Sequence, residues 1–434
     1  MRRAHSTRTS NRAGLCAFAG AIAVVFLATR SVDAIEIWSS DDGARSTTLD
    51  TALKWGSLLS HAPDDPLLFP ERWSGVGLFR FRLGLGYRHG AFFNTELAYE
   101  HRARVVSENA GMAAGGVLPA ESPGPFRIDQ MDWELADAGQ TFSYRHEIDR
   151  ALVAFHPPWG EVTIGRQGIG LGRAALFGAV DVFSPFTPTE ADREWRRGVD
   201  AVRAEWRVTD TSSIECIAAL GERWDDSALL GRVRGYFGNM DGEILAGKRA
   251  EDTFYGLAVS STAGDAEVHL EAAVFDVPEL WPDGGLFGND HLIGKAVAGG
   301  SYTFDVGDGL TLMGEYHYSG FGVEDIADAM TRLSDPAYQA RYLRGDTQIL
   351  GQHAIGIQAA YPFTDSVSGA LMLLVSPDDG SGLASPSLTL DIAESTTLAV
   401  SAFFPWGDEP SGGDLNSEYG ATATRLFLQL SLYF

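Results

Sequence analysis

Thr424-Arg-Leu-Phe-Leu-Gln-Leu-Ser-Leu-Tyr-Phe434 is the stretch on which the fold turns. Leu426, Leu428, Leu430 and Leu432 take alternate positions, with Arg425, Gln429, Ser431 and Tyr433 between them and Phe427 the one apolar intruder. Side chains alternate across a strand, so one face is aliphatic and the other largely polar. Such a strand suits a medium that is greasy on one side and watery on the other. A closed barrel in lipid offers both, with Phe434 placed at the interface as part of an aromatic girdle.

The same period of two recurs up the chain. Phe79, Phe81, Leu83, Leu85 and Tyr87 share a face opposite Arg80 and Arg82. Leu310, Leu312, Tyr316 and Tyr318 oppose Thr311, Glu315, His317 and Ser319. Val268, Leu270, Ala272 and Val274 face away from Glu267, His269 and Glu271. Strands are expected to start near residues 47, 77, 92, 141, 161, 199, 213, 228, 242, 253, 265, 295, 309, 352, 366, 385, 396 and 421, which makes 18. Sixteen is the alternative, because 228–249 alternates poorly. The fold class is therefore all-β, a transmembrane antiparallel up-and-down barrel.

Connection lengths sort by parity. One set is short and rich in Gly, Asn, Asp and Pro, as in Arg88-His-Gly90, Asn239-Met-Asp-Gly242 and Val306-Gly-Asp-Gly309, which supply tight-turn geometry. The other set is mostly long: 59–76, 106–140, 169–198, 277–294, 320–351 and 406–420. Short periplasmic turns and long extracellular loops characterise an outer-membrane barrel with both ends in the periplasm. The stretch 323–333, with Ile326, Met330 and Leu333 at helical spacing, reads as a short helix capping one long loop.

At the other end, Arg2, Arg3, Arg8 and Arg12 precede an apolar run, Ala13 to Ala28, and Val32-Asp33-Ala34 offers a small-x-small cleavage site. Residues 1–34 read as a secretory signal peptide, too short in its apolar run for a spanning helix. Residues 35–434 form the barrel. Without residues 1–34 the chain holds 28 basic and 57 acidic residues, a net charge of −29. So acidic a surface disfavours nucleic acid as a partner. Cys216 is the single cysteine of the mature part, so no internal disulfide is available.

Other chemistry is weaker. Gly165-Arg-Gln-Gly-Ile-Gly-Leu-Gly172 lacks the Lys-Ser/Thr and the following helix of a nucleotide loop, and reads as a glycine bulge at a barrel rim. The histidines have no metal-ligand spacing, so neither metal nor cofactor is expected. His101, His146 and His317 are the candidate bases of a barrel enzyme, but nothing local ties them to a nucleophile, and no enzyme is expected. Asp225-Asp226 and Asp378-Asp379 read as solvated loop tips rather than cation sites.

Four stretches carry a resemblance: Arg145-His-Glu-Ile-Asp-Arg-Ala-Leu-Val-Ala-Phe155, Gly165-Arg-Gln167, Phe177-Gly-Ala-Val-Asp-Val-Phe-Ser-Pro-Phe186 and Arg193-Glu-Trp-Arg-Arg-Gly-Val-Asp200. They resemble a poorly characterised family of bacterial outer-membrane porin-like proteins and, more distantly, the alginate-export barrels of 18 strands. Leu171-Gly172 stands where that family usually has Trp-Gly. The resemblance implies a barrel and a channel, but no substrate. It also implies outer-membrane lipid, lipopolysaccharide and, through the C-terminal strand, the barrel assembly machinery as partners. Oligomerisation is left open.

The charges are unevenly placed. Residues 35–250 hold 23 Lys plus Arg against 31 acidic residues, while 251–434 hold 5 against 26. Parity turns Arg80, Arg82, Arg102, Arg104, Arg145, Arg203 and Arg207 inward, accompanied by Glu96, Glu100, Glu147 and Glu205. Farther round, the inward charges are Glu267, Glu271, Glu315 and Asp391. Arg166 shares parity with Val162 and Ile164, so it reaches the lumen only through a glycine bulge. The connection 169–198 carries Asp181, Glu190, Asp192, Arg193, Glu194, Arg196 and Arg197, and a connection of that length is usually functional. It is expected to fold inward and narrow the lumen, its carboxylates meeting the arginine wall. The arginines can orient solutes and sort ions by sign, or serve as a structural ion-pair lattice. The function expected is passive diffusion of small polar or anionic solutes. The alternatives are export of an acidic polysaccharide, which needs a continuous arginine track, and an enzymatic or closed structural barrel.

Overall fold

A computed structural model describes residues 34–108, 117–118, 124–137, 139, 141–281 and 291–434. One antiparallel sheet accounts for nearly all of it. In chain order its strands are β1 (Ile35–Ser39), β2 (Arg45–His61), β3 (Trp73–His89), β4 (Phe93–Val106), β5 (Asp132–Asp137), β6 (Phe142–Phe155), β7 (Gly160–Gly168), β8 (Gly198–Thr209), β9 (Ser212–Ala219) and β10 (Ala228–Phe237). They continue with β11 (Met240–Arg249), β12 (Asp252–Ala263), β13 (Ala266–Asp276), β14 (Leu292–Phe304), β15 (Leu310–Ser319), β16 (His353–Thr364), β17 (Val367–Val375), β18 (Gly382–Ala393), β19 (Thr396–Trp406) and β20 (Thr424–Tyr433).

Eighteen of these form a closed ring; β1 and β5 are accessory, pairing onto β2 and β6. Each expected start falls within four residues of an observed one. The ring shuts where β20 lies against β2, in a register that pairs Leu430 with Trp55 and Leu426 with Leu59. Both strands need this seam, because an unpaired edge in lipid leaves backbone polar groups without water to satisfy them.

The exterior follows from the alternation. Leu59, Leu97, Ile214, Ile244, Leu270, Ile357, Leu371, Phe404 and Leu426 all stand exposed, one on each of nine strands around the ring. So broad an apolar belt is tolerated only against lipid. Aromatics crowd the short-turn end: Phe92 and Phe93 meet Phe155, Tyr302 meets Phe304, and Tyr361 meets Phe363. The long connections leave the ring at the opposite end. In the 320–352 connection the expected helix shrinks to a 3-10 turn and α1 (Ala329–Leu333), while α2 (Pro336–Arg344) was not foreseen. Asp335 caps α2 by accepting from the Ala337 amide at 2.9 Å, with Pro336 in the first turn and Gly345 closing it at φ 84°.

Gly165 does not form the anticipated bulge, since β6 and β8 pair through it without a register shift. Its φ is +117°, and a Cβ there would sit 2.1 Å from the Ala151 carbonyl oxygen. Glycine alone tolerates both conditions.

Candidate functional site inside the barrel

Even-numbered positions of β2, β3 and β4 face inward and carry Lys54, Arg80, Arg82, Glu100 and Arg102, all deeply buried or nearly so. Glu147 and Asp149 of β6 complete the group. Arg80 meets Glu100 at 2.9 Å and Asp192 at 2.9 Å; Arg82 meets Asp149 at 2.7 Å. Arg102 pairs with Glu100 and, at 2.8 Å, with Glu147. Lys54, which the charge reading overlooked, reaches Asp192 at 2.7 Å and Glu194 at 2.6 Å. Trp195 lies beneath the Lys54 ammonium at 4.0 Å, with the Arg80 and Arg82 guanidinium groups each at 5.0 Å. Round the ring, Arg203 meets Glu215 at 2.7 Å, and Arg232 bridges Glu215 at 3.2 Å and Glu243 at 3.0 Å. Of the two roles open to the arginines, these distances describe an ion-pair lattice. Buried charges persist when each has a hydrogen-bonded counterion.

The segment 169–197, between β7 and β8, joins walls that lie far apart on the ring. Arg173 donates to Asp241 of β11 at 3.0 Å. Glu271 of β13 accepts from the amides of Ala174 at 2.8 Å, Ala179 at 2.9 Å and Val180 at 3.3 Å, and also from that of Arg173. Glu315 of β15 accepts from Ala175 at 2.6 Å, Leu176 at 3.0 Å and Phe177 at 3.0 Å. Asp192 then returns to β2 and β3, and Glu194 accepts from the Tyr433 hydroxyl of β20 at 2.6 Å. Only a path through the interior links β11, β13 and β15 to β2, β3 and β20. Within the segment Arg196 pairs with Asp181, and Arg193 donates to the carbonyls of Ala175, Thr187 and Pro188 at 3.1, 2.9 and 2.7 Å. Glu190 accepts from the Thr187 amide at 3.4 Å, and Arg197 is half-buried, near Arg127, Arg102 and Glu147.

Part of the interior is apolar, where a wet and polar one was expected. Leu176, Phe177, Val180, Val182 and Phe183 pack on inward Ile217, Leu230, Leu245, Phe254, Phe275, Ile293 and Val297, all buried. The sequence did carry a signal for this. Residues 228–249 alternate poorly because both faces are apolar: Leu229 and Ile244 face lipid, Leu230 and Leu245 face the segment. Burying each such side chain contributes about 1.5–3 kcal/mol, ample to hold a loop inside. Phe427, the apolar intruder of β20, is likewise an inward core residue, its ring lying 3.3 Å from where a Cβ on Gly56 would stand.

The 320–352 connection reinforces the packing from the long-loop end. Asp346 receives Arg344 at 2.7 Å, Arg249 of β11 at 2.5 Å and Arg341 at 3.2 Å, and Arg341 also clasps Asp252 of β12 at 2.7 Å. Arg249 donates to the Val182 carbonyl at 3.2 Å, and Gln348 donates to that of Phe186 at 2.6 Å, so the two connections are tied together.

The remaining sequence-derived candidates scatter. Arg145 lies within 3.6 Å of Asp132 and 3.7 Å of Glu134, both on β5. Glu205 meets Arg234 at 3.8 Å, and Arg104 is half-buried at the long-loop end of β4. Glu96, Arg207, Glu267 and Asp391 are exposed near the short-turn end. Arg166 keeps the register of Ile164 because no bulge intervenes, and its side chain is wholly buried. It pairs with Asp200 at 2.7 Å and donates to the carbonyls of Gln130 at 2.7 Å and Ile148 at 2.9 Å, so it presents no surface to a solute. His101 and His146 stack on each other 5.6 Å apart on the outward face of β4 and β6; His317 is buried against Phe177 at 4.9 Å. Among the described residues no group of acidic, His or Cys side chains is arranged to hold a metal.

A closed ring of 18 antiparallel strands with sorted connections is the architecture of outer-membrane porins. Among solved structures, the fold is similar to that of Acinetobacter baumannii OccAB1, at a TM-score of 0.55 and 10% identity over 93% of this chain and 99% of that one. Pseudomonas aeruginosa OccK11 (OpdR) gives 0.53 at 11% identity over 93% and 99%, and OccK9 (OpdG) gives 0.53 at 9% over 89% and 98%. Identities this low speak for the fold. No family model matches the sequence, and no curated protein matches it.

Proposed function

We propose that this protein, exported with loss of residues 1–34, is an outer-membrane channel for passive diffusion of small polar solutes. Segment 169–197 is its constriction. The observation that carries this reading is the set of bonds by which one connection is moored to both sides of a closed ring. A porin-like fold with an inward connection suits sieving rather than chemistry: the inward carboxylates hold backbone amides and guanidinium groups instead of confronting a nucleophile. The paired arginines leave export of an acidic polysaccharide without the free track it requires. Lipid and lipopolysaccharide surround the belt, and the C-terminal strand addresses the chain to the assembly machinery. Purified folded protein added to a planar bilayer should give discrete conductance steps; a silent, correctly folded barrel would refute the proposal.

A further inference from the structure

Exposure of the inward face differs sharply around the ring, and this locates the path. On β9 to β14 the inward Ile217, Leu230, Phe254, Ile293 and Val297 are sealed beneath segment 169–197. On β2, β3 and β4 the inward Lys54, Arg80 and Glu100 are sealed as well, by ion pairs to Asp192 or to one another. From β16 to β19, by contrast, inward Gln358, Ala370, Ser387, Thr389 and Ser401 remain accessible at mid-height. Thr311, Ala360, Ser368, Ser387 and Thr389 share one concavity of about 240 Å³ on this wall. Along β16–β20 the described inward positions carry only two charges, Asp391 near the short-turn end and Arg425, buried, at the other.

Resting on the channel reading, we infer that the passage runs off-centre along β16–β19 and takes uncharged, hydroxylated solutes of sugar size. The facing side of the passage adds little net field, since Lys54 and Glu194 neutralise each other at 2.6 Å and Arg193 has the Glu190 and Glu315 carboxylates beside it. Hydroxyls and an amide can exchange hydrogen bonds with a polyol as it moves. They cannot replace the hydration of an ion, which an inward ladder of free charges would do. This departs from the anion preference that the arginine count suggests, because those arginines are already paired.

Two measurements test it. In proteoliposomes a neutral hexose should enter about tenfold faster than the hexuronate of the same size. Equal rates, or a faster hexuronate, would overturn the solute class. For the path, Ser387→Cys and Ser401→Cys, which are cross-strand partners, are placed in a Cys216→Ser background. Labelling with a sulfonate-bearing thiol reagent should cut conductance by about half or more. Full labelling with unchanged conductance would place the path elsewhere and leave the channel reading intact. Absence of current from the unmodified protein would remove both.

Discussion

Gly165 is closed to substitution on two counts. Its φ of +117° and the 2.1 Å approach to Ala151 oxygen penalise Gly165→Ala twice, by about 3 kcal/mol or more in total. The expected result is a large fall in the folded, heat-modifiable band on a gel. Gly77→Ala, with nothing within 4 Å of its Cβ, should behave as wild type. Asp346, in the long-loop region, is the hub of the mouth. Burial alone would raise its carboxyl, yet Arg249, Arg344 and Arg341 hold it well below the usual carboxylate range. Asp346→Asn leaves three guanidinium groups around a neutral acceptor and costs about 3–5 kcal/mol locally, read as faster hydrogen exchange over 336–349. Glu418 behaves oppositely. Burial, with Asp379 and Asp378 nearby, pushes it up to about 7, although the Leu350 and Gly351 amides donate to it at 2.9 and 2.6 Å. A carboxyl raised on folding stabilises fully below its unfolded pKa, and that stability is lost as pH rises through about 7. Hydrogen exchange in the loops around 350 and 418 should therefore quicken from pH 5 to pH 8, and Glu418→Gln should flatten the response.

Strands and connections were unequally legible. A strand with lipid on one side and water on the other writes its position as a period of two, which is why β3, β13, β15 and β20 stand out. β10 and β11 blur because the interior beside them is packed with protein rather than water. Segment 169–197 is legible as long and charged, but its tethers are not: Glu271 and Glu315 look like ordinary inward carboxylates until the amides of 173–180 arrive. Hydrogen bonds to charged groups contribute about 1.5–3 kcal/mol each. Removing both tethers in Glu271→Gln with Glu315→Gln should loosen the segment without opening the ring. The measurement is single-channel recording, with larger and noisier steps expected; an unchanged trace would show that apolar packing alone holds the segment.

For the molecule as a whole, closure is the property that matters. β20 is bonded on both sides, to β19 and β2, and the Phe434 backbone exchanges hydrogen bonds with Thr51 at 3.0 and 2.8 Å. Deleting 424–434 exposes two edges at once, so no heat-modifiable barrel should form in detergent, whereas Phe434→Leu keeps the bonds and should retain most of it.

Alternation, turn chemistry and sorted connection lengths depend on neighbours a few residues apart, so barrel, strand number and wall parity could be read from the chain alone. Charge pairing could not. Whether Arg80 or Arg82 offers free charge to a solute depends on Glu100, Asp149 and Asp192, brought within 3 Å by strand register and an inward loop. The reason is one of range: lipid and water act on each side chain separately, while ion pairs and a filled interior arise between residues from 20 to 138 positions apart.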